Sequence, residues 1–304
     1  LGAGPSGLAV SACLKRRGVT PVILERAGQV GSSWRNHYER LHLHTVKRFS
    51  SLPGMPWPED VAMYPSRQDV VDYLDAYARR FGLAPRFHED VKRVANRGGR
   101  WAVETPTGEL HARALVVATG YNRVPKAVTW PGLEDFSGTV THSSGYRNGR
   151  AWKAERVLVV GAGNSGAEIA LDLWESGATP ALCVRSPIHV IPREVFGIPA
   201  QINSLFLMGR LPRPVADRLS RALLDRVVGD LSRWGIRRPD EGPVTQVVTR
   251  GRIPLIDIGT VSLIKQGKIT VYPGIRRFTR DAVVFEDGRA QRFDHVVLAT
   301  GYRA

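Results

Sequence analysis

The sequence predicts an α/β protein made of two Rossmann-like dinucleotide-binding domains, the second inserted into the first. Three observations carry this. A glycine triplet, Gly2-Ala3-Gly4-Pro5-Ser6-Gly7, stands at the head of the chain, and a second, Gly161-Ala162-Gly163-Asn164-Ser165-Gly166, follows the apolar run Val157-Leu158-Val159-Val160. Two matching turns, Ala118-Thr119-Gly120 and Ala299-Thr300-Gly301, each follow an apolar segment. A repeat at this distance means two copies of one domain type, because solenoid periods are far shorter. The length of 304 residues also exceeds what one hydrophobic core usually organises.

The elements follow in order. The first glycine turn leads into residues 8–17, of helical composition, and then a short apolar strand over 21–25; the start of this unit's first strand is missing. A stretch punctuated by Pro and aromatic residues over 34–64 precedes a helix over 67–81. Residues 100–105, 109–111 and 114–118 read as strands, the last almost wholly apolar and therefore expected to be buried on both faces. The second copy reads as a strand over 156–161, a turn and helix over 163–175, and a strand over 181–184. A helix over 215–234 sets Leu219, Leu223, Val227, Leu231 and Trp234 on one side, a face expected to pack against a domain. Residues 269–272, 282–286 and 295–299 close as strands. The expected domains are 1–148 and 149–294, with a return to the first over 295–304. The chain stops just after a strand and reads as an incomplete copy of a longer protein.

Composition narrows the function classes. Hydrophobic content of 43% and charged content of 23% are ordinary for a globular protein. No apolar run approaches the ~20 residues of a membrane span; the longest, around 205–208 and 296–299, are core-sized. No targeting leader is visible, which predicts a cytoplasmic protein. Cys13 and Cys183 form no CxxC, so a disulfide framework, a thiol redox centre and a zinc site all lack ligands, and no metal is expected. The net charge of +15 is spread over scattered arginines. No dense basic run alternates with aromatics, which argues against a nucleic-acid partner.

Each glycine triplet has a mechanism. Gly2 and Gly161 allow the tight turn, Gly4 and Gly163 let the backbone approach a pyrophosphate, and Gly7 and Gly166 let helix and strand pack closely. The helix that starts at Pro5-Ser6, and its counterpart at Asn164-Ser165, offers free N–H groups and the positive end of its dipole to phosphates. Glu25, followed by Arg26, closes the next strand of the first copy, where a carboxylate accepts both ribose hydroxyls. The second copy has no acid there but Val184-Arg185-Ser186. A carboxylate would repel a 2′-phosphate, whereas guanidinium and hydroxyl groups hold it, so NADPH rather than NADH is expected. Thr119-Gly120 and the later Thr300-Gly301 return the chain across each cofactor crevice.

Between the glycine motifs, Phe136-x-Gly138-x-x-x-His142-x-x-x-Tyr146 resembles the identifying sequence of the flavin-dependent monooxygenases, with Tyr146 where Baeyer–Villiger enzymes carry Trp. The resemblance spans essentially the whole chain and sharpens on the plant YUCCA-type monooxygenases. Tyr38-Glu39-Arg40-Leu41-His42-Leu43-His44, Tyr64-Pro65-Ser66, Pro192-Arg193-Glu194 and Arg237-Arg238-Pro239 are similar to stretches of that group. Gly31-Ser32-Ser33-Trp34 resembles a segment lying along the flavin, which adds Ser33 and Trp34 to the site. The resemblance implies FAD at the first turn, NADPH at the second, and molecular oxygen and a small molecule as reactants. It implies a flavin hydroperoxide acting on an aromatic 2-oxo acid such as indole-3-pyruvate. His44 aligns where mammalian-type members carry asparagine and becomes the candidate catalytic residue, although a structural histidine fits equally well. N- or S-oxygenation of a soft nucleophile is the alternative reaction, and an uncoupled, oxidase-like or non-catalytic flavoprotein the alternative class.

Overall fold

The computed structural model describes residues 1–204 and 211–303, so the apolar run at 205–208 lies outside the described residues. The chain forms two compact units, Leu1–Val124 with Tyr302–Ala304, and Pro125–Gly301. Along the chain the second is therefore inserted into the first.

The first unit is built around the helices Pro5–Lys15 and Arg67–Arg80 and a three-stranded antiparallel sheet, Arg93–Arg97, Arg100–Thr105 and Gly108–Ala112. Ser66 starts the longer helix: its Oγ accepts from Asp69 N while the Asp69 carboxylate accepts from Ser66 N at 2.8 Å, satisfying two otherwise orphaned donors. That helix buries Val70, Tyr73, Leu74 and Tyr77 against Leu8, Ala12 and Trp57. Tyr73 stacks on Trp57 at 4.0 Å, and its hydroxyl donates to Met55 O at 2.6 Å. The Tyr77 hydroxyl donates to Pro53 O at 2.8 Å, so the proline-rich loop is pinned to the helix.

Two expected strands of this unit do not form as such. Residues 21–25 make only a bridge, Leu24 with Arg86. Residues 114–118 belong to no strand, and Val116 and Val117 are 44% and 65% exposed rather than buried. Between the two segments run only Leu1 and Gly2: Ala118 N donates to Leu1 O and Gly2 N to Leu24 O, both at 2.8 Å.

The second unit carries a five-stranded, all-parallel sheet in the order Thr270–Tyr272, Thr179–Cys183, Arg156–Val160, His295–Leu298, Thr139–His142. Val157, Leu158 and Val159 have no exposed surface, as expected of a central parallel strand covered on both faces. The helix Asn164–Glu175 packs on one side. On the other, Leu158, Val160 and Val296 meet Phe136, Phe278 and Phe285, the last two from the meander Ile275–Phe278, Val283–Phe285, Ala290–Gln291. Residues 125–148 and 295–301, assigned to the first domain on sequence, pack here because Thr139–His142 pairs with His295–Leu298.

The helix expected over 215–234 spans Arg213–Val227, breaks at Gly229 (φ +76°), and resumes as the short turn Ser232–Trp234. Its buried row is Ala216, Ser220 and Leu224, while Leu219 is 49% exposed. From the same helix the Asp217 carboxylate accepts from Val244 N at 2.8 Å and Thr245 N at 3.2 Å, capping the helix Pro243–Arg250. No helix among the described residues is long and apolar enough to cross a membrane.

Candidate functional site

Both glycine turns adopt the conformation that their sequences ask for. Gly2 has φ +101° and Gly161 φ +111°, in the region that favours glycine. Gly4 (φ −82°, ψ −175°) and Gly163 (φ −84°, ψ −178°) are the N-caps of their helices. A Cβ on Gly7 would lie 1.9 Å from Gly2 O, and one on Gly166 would lie 1.9 Å from Gly161 O. A Cβ on Gly2 would meet Ala118 O at 2.5 Å, and one on Gly161 would meet Ala299 O at 2.6 Å. Each turn thus rests on the backbone of its later Ala-Thr-Gly partner. A Cβ on Gly4 or Gly163, by contrast, would meet nothing within 4 Å. In front of each helix N-terminus is open space with free N–H groups, the shape a pyrophosphate needs.

Behind the first turn, Glu25 accepts from Ala3 N at 2.7 Å and from Ala27 N at 2.9 Å, one bond per carboxylate oxygen. A carboxylate has about four acceptor positions, so two remain for ribose hydroxyls. A cavity of about 250 Å³ opens here, lined by Gly2, Glu25, Arg26 and Thr119 with Asp90 and Lys92. Gly120 follows with φ +78°. Gly31 (φ +65°) donates its N–H to Ala3 O at 3.0 Å, which sets the short helix Ser32–Arg35, with Ser33 and Trp34, beside the turn. His44 is half-buried on a segment tied down by Leu43 N donating to Pro65 O at 2.8 Å.

The second turn opens onto a larger cavity, about 530 Å³, lined by Gly161, Gly163, Arg185, Ser186 and Thr300 among others. Among the described residues no carboxylate pairs with Arg185, so its guanidinium is available. The Asn164 side chain accepts from Ile256 N at 2.8 Å and so fastens the strand Leu255–Asp257 to the turn; Ser165 and Gly166 lie in the first helical turn. Cys183 lines the same cavity, but burial, reinforced by Glu286, pushes its thiol up to about 12, so it is not a redox nucleophile. Both cysteines are free, and no cluster of metal-ligating side chains exists among the described residues.

The family model described as pyridine nucleotide-disulphide oxidoreductase matches residues 1–192. Indole-3-pyruvate monooxygenase YUCCA1 of Oryza sativa subsp. japonica is 44% identical over all of this chain and 76% of its own length. Indole-3-pyruvate monooxygenase YUCCA6 of Arabidopsis thaliana is 43% identical over the whole chain and 75% of its own. Among solved structures, a flavin-containing monooxygenase from Stenotrophomonas maltophilia superimposes with a TM-score of 0.75, covering all of this chain and 77% of that one at 24% identity. This chain belongs to the YUCCA-type monooxygenase family. It is an oxidoreductase, and the disulphide chemistry in the broader family's description has no cysteine pair here to perform it.

The residues of the linker motif make the following contacts. Phe136 is buried in the sheet core, and a Cβ on Gly138 would strike its ring at 2.6 Å. His142 Nδ1 accepts from Ser144 N at 3.1 Å, so Nε2 carries the proton and donates to Gly301 O at 3.2 Å, fastening the sheet edge to the second Ala-Thr-Gly turn. Burial lowers the His142 pKa from its ordinary value, which suits this neutral tautomer. The buried Tyr146 hydroxyl donates to Asp172, on the helix that begins at the second glycine turn. Sequence reasoning missed Lys126, His189, Gln246, Arg252 and Glu286, all in the wall of the second cavity. They come from separate segments, and no spacing rule links them.

Proposed function

We propose that this chain binds FAD at the first glycine turn and NADPH at the second, and uses both with oxygen to convert indole-3-pyruvate or a close aromatic 2-oxo acid into the acid one carbon shorter. What supports the reading most is a pair of equivalent turns with opposite charges behind them. Glu25 offers acceptors to two ribose hydroxyls, whereas Arg185 and Ser186 offer donors to a 2′-phosphate. The named activity of the curated relatives supports the substrate class.

When bound, FAD reduced by NADPH supplies the oxygen activation, and the net change consumes one oxygen molecule, one NADPH and a proton and releases carbon dioxide and water. The chain's own contribution is holding and orienting. Gly4 and Gly163 would allow close backbone approach, and Ser33 and Trp34, with Arg26 and Thr119 from the first cavity, would help hold FAD. His44 can change charge where asparagine cannot, and so sets the electrostatics of the reaction site. The free thiols of Cys13 and Cys183 suit a reducing cytoplasm.

The test is incubation of the purified protein with NADPH, ¹⁸O₂ and, side by side, indole-3-pyruvate, an amine and a sulfide, with products identified by mass. Indole-3-acetate carrying one labelled oxygen is expected. His44→Asn should lower this yield and raise peroxide release while FAD content stays intact. Label in an amine or sulfide product, with the 2-oxo acid untouched, would sink the substrate assignment. Stoichiometric hydrogen peroxide with no oxygenated product would mark an oxidase-like flavoprotein.

A further inference from the structure

One wall of the second cavity has a feature that holding a pyrophosphate and a 2′-phosphate leaves unused. The strands Thr179–Cys183 and Thr270–Tyr272 run parallel and end together at this wall. They are stitched just beyond their ends, where Val184 N donates to Tyr272 O at 2.8 Å and Cys183 Sγ donates to Pro273 O at 3.0 Å. Arg185 follows the first strand and Gly274 the second, and both line the cavity.

Gly274 has no positive φ, so its backbone does not call for glycine. Space does. A Cβ there would lie 2.4 Å from Glu286 Oε1 and 2.7 Å from Oε2, so the Glu286 carboxylate lies directly over the Gly274 backbone. Glu286 N donates to Gly274 O at 2.8 Å, and the preceding Phe285 stacks on Tyr272 at 4.2 Å, which fixes where the carboxylate begins. Among the described residues nothing donates to that carboxylate. Ile188, Ile253 and Ile275 give the same cavity apolar surface.

Glu286 is exposed at this wall, and a charged acceptor beside apolar walls fits a flat ring with a donor on its edge. In a Rossmann unit the residue after the second strand reads the ribose 2′ position, and the base lies beyond it. Here that neighbouring position is the end of Thr270–Tyr272, under Glu286. We propose that Glu286 is the adenine-reading residue of this site, its carboxylate accepting a hydrogen bond from the 6-amino group of the base. The proposal rests on the assignment of this cavity to NADPH. The same carboxylate repels the 6-oxo group of hypoxanthine or guanine, so it selects among purines as well as binding one.

The test titrates the FAD-loaded enzyme with NADPH and with its hypoxanthine analogue, in which oxygen replaces the 6-amino group. The wild type should prefer NADPH by about tenfold or more, since a hydrogen bond to a charged group is gained with one ligand and a repulsion met with the other. Glu286→Ala should weaken NADPH about tenfold while leaving the analogue unchanged or tighter. Glu286→Gln, which can turn its amide donor toward a 6-oxo group, should bring the two ligands within a few-fold of each other. FAD content and melting temperature report folding of both variants. A wild type indifferent to the substitution, or a Glu286→Ala enzyme that keeps the wild-type preference, overturns the proposal. So does tighter NADPH binding in Glu286→Ala, which would show a carboxylate acting only against the 2′-phosphate. Arg185→Ala separates the two levels: if it leaves NADPH binding untouched, the cavity is not the NADPH site and the proposal falls with that assignment.

Discussion

The two glycine turns match almost contact for contact: a Cβ on the first glycine of each would strike the carbonyl of Ala118 or Ala299, and a Cβ on the third would strike the carbonyl of the first. Its glycines, the N-terminus of its helix and that carbonyl define each turn. What distinguishes the two sites chemically is local: a carboxylate at Glu25, a guanidinium at Arg185.

The largest expected effect tests the match itself. Gly7→Ala and Gly166→Ala each push a Cβ to 1.9 Å from a backbone carbonyl, which a packed turn cannot absorb. Both should cost about 3 kcal/mol or more in urea unfolding. Tolerance at one position only would break the equivalence of the turns. Val159→Ala, in a strand covered on both faces, comes next and should cost about 2 kcal/mol in urea unfolding; a cost below about 0.5 kcal/mol would mean that the strand is not covered.

Arg185→Ala should weaken NADPH about tenfold, the worth of a charge-assisted contact to phosphate, and leave NADH almost unchanged. Equal losses for both cofactors would make Arg185 a fold-supporting residue. The smallest effect is one of pH. Burial lowers the pKa of both His142 and His189. As pH falls below the ordinary histidine value of about 6.5, the unfolded chain takes up these protons first. Stability present above that pH is therefore lost on acidification toward the folded values. Melting temperature should drop between pH 7 and 5.5, less steeply in His189→Gln; an unchanged slope would remove His189 from the explanation.

Features encoded within a few neighbouring residues were legible in the sequence: both glycine turns, their helices, and the contrast between Glu25 and Val184-Arg185-Ser186. Burial was less so. Residues 114–118 have the composition of a covered strand, but pairing partners come from elsewhere in the chain. The helix Arg213–Val227 buries Ala216 and Ser220 rather than Leu219, and the partner its Asp217 caps lies 27 positions further along the chain. Phe136, His142 and Tyr146 were visible as a motif, but their structural contacts were not. Glu286 was invisible as a site residue, since its meaning depends on Gly274 twelve positions earlier and on a strand ending beside Arg185.

The central claim, two equivalent turns assigned to different cofactors, is tested most directly by Gly4→Val and Gly163→Val compared side by side. Each side chain would enter space that is empty in the folded protein, so the apoprotein of both variants should keep the unfolding free energy of the wild-type apoprotein in urea to within about 1 kcal/mol. The account predicts that Gly4→Val purifies without FAD, while Gly163→Val remains yellow with stoichiometric FAD but no longer binds NADPH. Loss of FAD from Gly163→Val with retention in Gly4→Val, or full FAD and NADPH binding in both, would contradict it.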